Sequence, residues 1–183
     1  HINGIYRFSR SGKLEGFFPF PYKNDEITNA ATGKEGILLT SYLHGLLAFD
    51  PVTGQYSTSS YNQPVLEKNN LLSLLEKNGD CWIGSYPLFC SKANGNLFTW
   101  QNTRMNEYEL TASKIGELFF DRENNLWICS HNGLSMLPWQ NQQIRNIELK
   151  EKGTNNQIEP TGVFGIPGSK DLLITNTSSA GLV

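Results

Sequence analysis

Asn124-Asn125-Leu126-Trp127-Ile128-Cys129-Ser130-His131-Asn132-Gly133-Leu134-Ser135-Met136-Leu137 reads as a polar turn, a short apolar strand carrying a tryptophan, a second turn ending in glycine, and another strand. Asn124-Asn125 tolerates the left-handed backbone of a tight hairpin, and Gly133 takes a positive φ without steric penalty. Leu126-Trp127-Ile128 is too short between such breakers for a helix, so it reads as strand. Alone this is an ordinary β-hairpin. Its recurrence decides the fold.

Leu38, Trp82, Trp127 and Leu173 stand at intervals of 44, 45 and 46 residues by subtraction of their numbers. Around them lie Gly36-Ile37-Leu38-Leu39-Thr40-Ser41, Asp80-Cys81-Trp82-Ile83-Gly84-Ser85, Asn125 to Ser130 and Asp171-Leu172-Leu173-Ile174-Thr175-Asn176. An apolar stretch precedes each, clearest at Leu71 to Glu76 and Ile115 to Asp121. A Gly-apolar start follows, as in Gly45-Leu46-Leu47-Ala48-Phe49 and Gly133 to Leu137. Asn3 to Phe8 repeats that third-strand pattern, and Ala180 to Val183 begins it again. A period of about 45 residues holding three or four short strands is a β-propeller blade. A β-sandwich also has short strands and frequent turns, but it does not require a fixed period.

Leu71 to Ser85, with its apolar strand, Glu76-Lys77-Asn78-Gly79-Asp80 turn and Cys81-Trp82-Ile83-Gly84-Ser85, resembles the two-component regulator propeller repeat. Ile115 to Leu137 fits it nearly as well, with Cys129 where glycine is usual. Ile27 to Phe49 and Val163 to Val183 are weaker copies that lack the tryptophan. The second copy departs after Ser85, where Tyr86-Pro87-Leu88-Phe89 replaces the usual turn and Gly-Leu. Together the copies cover almost the whole chain.

The expected fold is therefore all-β, with blades at about 1–22 (the end of a blade), 23–64, 65–110, 111–156 and 157–183 (the start of a blade). About four blades is few for a closed ring, and an open ring leaves strand edges bare. The expectation is a fragment of a larger, seven-bladed propeller; a closed four-bladed ring is the alternative. Within the chain, Ser9 to Gly16 is expected to turn into an outer strand and Phe17 to Tyr22 to cross to the next blade. Ser57 to Asn70 reads as a polar connection, and Ile144 to Leu149 as an outer strand.

The 183 residues are 38% hydrophobic and 17% charged, with a formal net charge of -2. So even a balance offers no broad basic surface for nucleic acid or anionic lipid. No apolar run approaches the ~20 residues of a membrane helix, and no signal peptide is read. Cys81, Cys90 and Cys129 have no Cys-x-x-Cys spacing; a Cys81–Cys90 bridge is one reading, and buried thiols acting as small apolar residues the favoured one.

Chemistry on a propeller is assembled from equivalent loops of successive blades. The loops joining second to third strands are Ser41-Tyr42-Leu43-His44, Ser85-Tyr86-Pro87, Ser130-His131-Asn132 and Asn176-Thr177-Ser178-Ser179, with His1-Ile2-Asn3 in the same class. All three histidines fall in this family. Tyr42, His44, Tyr86, His131, Asn132 and Asn176 are the candidate ligand-binding residues, because sugars stack C–H faces on aromatics while their hydroxyls take hydrogen bonds. The plain alternative is that they are turn residues chosen for backbone tolerance. The histidines keep unequal spacing to the following glycine, so no metal site is expected. Glu76 and Asp121 close equivalent strands and read as structural rather than as an acid–base pair. No Gly-x-Ser-x-Gly elbow, phosphate loop or His-Glu-x-x-His occurs, so neither catalysis nor a cofactor is expected.

The resemblance implies the periplasmic sensor region of a hybrid two-component system: an ectodomain that senses carbohydrate fragments and signals through a homodimer to a histidine kinase. The alternatives are a structural or dimerisation propeller without its own ligand, and a carbohydrate-active propeller enzyme.

Overall fold

The computed structural model describes residues 4–92, 94–100, 110, 114–140, 144–154 and 156–176. Its strands form three four-stranded and two two-stranded antiparallel sheets in chain order. The first pairs β1 (Gly4–Phe8) with β2 (Leu14–Pro19). Next comes β3 (Ile27–Gly33), β4 (Gly36–Ser41), β5 (Gly45–Phe49) and β6 (Tyr56–Thr58). The third holds β7 (Ser73–Lys77), β8 (Asp80–Gly84), β9 (Leu88–Lys92) and β10 (Leu97–Trp100), and the fourth β11 (Ile115–Phe120), β12 (Leu126–Ser130), β13 (Gly133–Leu137) and β14 (Arg145–Ile147). β15 (Pro160–Gly165) and β16 (Leu172–Asn176) make the last. Each four-stranded sheet is a simple meander, the blade of a β-propeller. Among the described residues no helix is long and apolar enough to cross a membrane.

The turns obey local chemistry. Asn78 (φ 55°), Asn124 (φ 65°) and Gly133 (φ 126°) take the left-handed backbone that the hairpins demand. Second strands are apolar on both faces because both faces are covered. Leu38 packs toward the third sheet with Leu74, Ile83 and Phe89, while its neighbour Leu39 packs toward the first with Phe18 and Phe20. Likewise Trp82 and Ile128 share one cluster, and Trp127 and Cys129 face Val163 and Ile174. Four apolar clusters thus fill the four seams between successive sheets. Polar bonds reinforce them: Thr28 Oγ1 donates to the Leu71 carbonyl (2.6 Å), and the Ile115 amide donates to the Ser85 carbonyl (2.9 Å). Gly84 lets the third and fourth sheets close, since a Cβ there would meet Ser73 Oγ and lie 2.6 Å from Ile115 Cγ2.

Two expectations are corrected, and for the cysteines the favoured reading of buried free thiols holds. Phe17 and Phe18 do not cross between blades but belong to β2, because Phe18 packs edge-on against Phe49 (5.2 Å) and its carbonyl accepts from Tyr56 Oη (2.9 Å). The segment 57–70 is not merely a polar connection: it starts in β6, and it plants Tyr61 and Leu66 in the seam between second and third sheets. Cys81 and Cys90 form no bridge. Cys81 pairs across the ladder with Ser91 and Trp82 with Cys90, so the two thiols point into different seams, and all three cysteines are buried and free.

Candidate functional site

In a meander, the loops between second and third strands and the links between blades lie at one end of the strands. The turns joining first to second and third to fourth strands lie at the other. The six candidate residues therefore share one rim, distributed over four successive sheets. Tyr42 and His44 stand between β4 and β5, Tyr86 between β8 and β9, His131 and Asn132 between β12 and β13, and Asn176 at the end of β16. Tyr86 is 57% exposed, and Tyr42, His131 and Asn132 are exposed as well. His1-Ile2-Asn3 and Thr177-Ser178-Ser179 lie outside the described residues.

A serine ends, or in β8 directly follows, each of the three central second strands, and each is buried. Ser130 Oγ donates to the Gly133 carbonyl (3.2 Å) and Ser85 Oγ to the Asn70 carbonyl (2.7 Å). Ser41 does something different. Its hydroxyl accepts from the His44 amide (2.8 Å) and donates to the carboxylate of Asp25 (2.6 Å). Asp25 lies two residues ahead of β3, and its side chain has no exposed surface. It also accepts from the amides of Glu26 (2.8 Å) and Leu43 (2.9 Å), and from His44 Nδ1 at 2.6 Å. Burial alone would raise its pKa, but these donors together outweigh burial and hold it below the ordinary carboxylate value.

The bond to Asp25 places the proton of a neutral His44 on Nδ1 and leaves the Nε2 lone pair free of that bond. One face of the imidazole stacks on Tyr22 (centroids 4.0 Å, planes 23° apart), and the side chain is still 40% exposed. His44 is thus a fixed, partly open imidazole at the rim, in the same loop as the exposed Tyr42. Sequence reasoning found His44 but missed Asp25, Tyr22 and Ser41. One signal was present in the chain: a lone aspartate between Tyr22 and the apolar start of β3, in the sheet whose loop carries a histidine.

The rim is tied to the blade links at other points. Gln157 Nε2 donates to the Asn132 carbonyl (3.3 Å), joining the fourth sheet's loop to the link before β15. At the opposite end, a cavity of about 330 Å³ opens between the first-to-second-strand turns of the last two sheets. Phe119, Arg122, Ile166, Pro167 and Lys170 are among its lining residues, and none of the six candidates is. Glu76 and Asp121 act structurally: Glu76 accepts from the Lys34 amide of the preceding sheet (2.6 Å), and Asp121 from Trp127 Nε1 (2.8 Å).

No family model and no curated protein matches the chain. Solved structures do match. Over 99% of its length the chain superposes on the extracellular domain of BT4673 from B. thetaiotaomicron, assigned to a hybrid two-component system, with a TM-score of 0.70 and 20% identity. A second such extracellular domain, BT3049 from the same organism, matches over 100% of the chain with a TM-score of 0.61 and 14% identity. Virginiamycin B lyase from Staphylococcus aureus matches over 95%, with a TM-score of 0.69 and 14% identity. The chain spans only 24% of the BT4673 domain, 27% of the BT3049 domain and 56% of the lyase. In fold these neighbours agree with the propeller that the repeats predict. This chain is a run of β-propeller blades, a fold it shares with the extracellular domains of hybrid two-component systems.

Proposed function

We propose that the chain is part of an extracytoplasmic, non-catalytic sensor propeller of a two-component signalling protein. Its ligand is an oligosaccharide held at the rim by Tyr42, His44, Tyr86, His131, Asn132 and Asn176. Binding favours one arrangement of a homodimeric ectodomain and so shifts the equilibrium of a histidine kinase on the other side of the membrane. The observation that carries this reading is the Asp25–His44 pair. It costs a buried carboxylate to hold one imidazole still in a loop that also carries an exposed tyrosine, and an ordinary loop turn needs no such anchor. Exposed tyrosines offer stacking faces, and imidazole and amide edges offer hydrogen bonds to hydroxyls.

The test is calorimetric titration of the complete ectodomain with a panel of oligosaccharides. At least one member binds, and His44→Ala and Tyr86→Ala each weaken it at least tenfold, the exposed Tyr86→Ala with the melting temperature little changed. Binding to no member of a broad panel, or binding indifferent to both variants, rejects the rim as the site.

A further inference from the structure

A second aromatic surface lies at the end of the strands opposite the rim. Trp139 follows β13 in the turn toward β14, a position where the second sheet carries Pro51, and it is 55% exposed. Its amide donates to Asn125 Oδ1 (3.3 Å), which ties this turn to the hairpin between β11 and β12. Two adjoining hollows of about 20 and 10 Å³ share Trp82, Phe120, Asn124 and Trp139 as walls. Together they form a shallow groove along the seam between third and fourth sheets. Trp82 meets Phe120 edge-on (6.0 Å) and is backed by Trp100 (5.5 Å), so the aromatic floor is fixed. The groove is too shallow to enclose a molecule, which suits a ring laid flat on the exposed indole with its edge toward polar groups.

Those polar groups are Asn78, Asn124, Asp80 and Lys77. Asp80 is ion-paired with Lys92. Lys77 makes no ion pair among the described residues; its ammonium sits 4.3 Å from the centroid of Phe120, over the ring. A cation whose charge is not matched by a carboxylate, at the edge of an aromatic floor flanked by two asparagine amides, is set to receive an anionic group carried on a ring with hydroxyls. We infer that this groove is a binding site for an acidic sugar, a hexuronate unit of an oligosaccharide. The ring stacks on Trp139, its carboxylate faces Lys77, and its hydroxyls bond to Asn78 and Asn124. This site is separate from the rim and does not depend on it.

The experiment is calorimetric titration of the complete ectodomain with digalacturonate and with the uncharged digalactoside of the same linkage. Digalacturonate binds more tightly, and its affinity falls as salt rises. Trp139→Ala weakens both sugars at least tenfold while the melting temperature holds, because the side chain is largely exposed. Lys77→Gln abolishes the preference for the acidic sugar and leaves the digalactoside unaffected, and Trp139→Phe retains part of the affinity. His44→Ala leaves digalacturonate binding unchanged, so failure of one site is distinguishable from failure of the other. The inference is overturned if neither sugar binds, if Trp139→Ala leaves digalacturonate affinity intact, or if a proline-rich peptide binds the groove in place of both sugars.

Discussion

The indole Nε1 of Trp127 donates to Oδ2 of Asp121 at 2.8 Å, whereas Glu76, at the same sequence distance from Trp82, turns away from its own sheet and accepts from the Lys34 amide at 2.6 Å. The difference lies in the hairpins. Lys77 pairs with Asp80 around a two-residue turn, while the Asp121 amide donates to the Asn125 carbonyl around a longer one, so Asp121 sits one place further along the ladder. Equal spacing in the chain therefore conceals two roles: Asp121 braces its own blade, and Glu76 fastens one blade to the previous one.

Asp121→Ala removes the acceptor for the Trp127 indole and for the Asn125 amide and side chain. The expected loss is about 1–3 kcal/mol, read by chemical denaturation, with Asp121→Asn costing less because one acceptor oxygen remains. Glu76→Ala should instead speed hydrogen exchange at the Lys34 amide, which Asp121→Ala leaves unchanged.

Gly84→Ala drives a methyl group into Ser73 Oγ and Ile115 Cγ2 across the third seam. Backbone and core must shift, so the substitution should cost about 1–3 kcal/mol. Gly116→Ala, where an added Cβ meets nothing within 4 Å, is the control and should change stability by less than about 0.5 kcal/mol.

Burial pushes the thiols of Cys90 and Cys129 up to about 12 and raises that of Cys81 as well. At pH 8 the folded chain should resist iodoacetamide and gain mass at these cysteines only after denaturation. Because each folded pKa exceeds the unfolded one, their contribution to stability is full below about pH 9 and is lost as pH rises toward 12. Denaturation midpoints across that interval check the sign.

Asp25 shifts the other way. Its folded pKa lies below the unfolded value, so its stabilising contribution is present above about pH 4 and disappears as pH falls through the folded pKa. Asp25→Asn should weaken this low-pH dependence. In the same variant the His44 ring should lose its fixed tautomer, visible in the nitrogen chemical shifts of His44.

The repeat, and with it the blade, was legible because each second strand must be apolar on both faces and each turn needs asparagine or glycine, and both demands recur with the period. The candidate site was legible only in part. His44 and its companions showed as loop residues in register, but Asp25, Ser41 and Tyr22 meet through contacts particular to one blade, which no periodicity records. Phe17 and Phe18 misled for a related reason: beside two prolines they read as a crossing, whereas the ladder to β1, and for Phe18 the distant Phe49 and Tyr56, hold them in β2. Trp139 carried no signal in the chain, since its significance comes from Trp82 and Phe120 arriving beside it.

The four apolar clusters lie in series, one per seam, and each joins only adjacent sheets. Mechanically this is a row of springs, in which the softest seam governs how far one end tilts when the other is pushed. A ligand gripping loops of two neighbouring blades acts as a splint across the seam beneath it. Stiffening a soft seam straightens the whole row, while stiffening one that is already rigid passes nothing on.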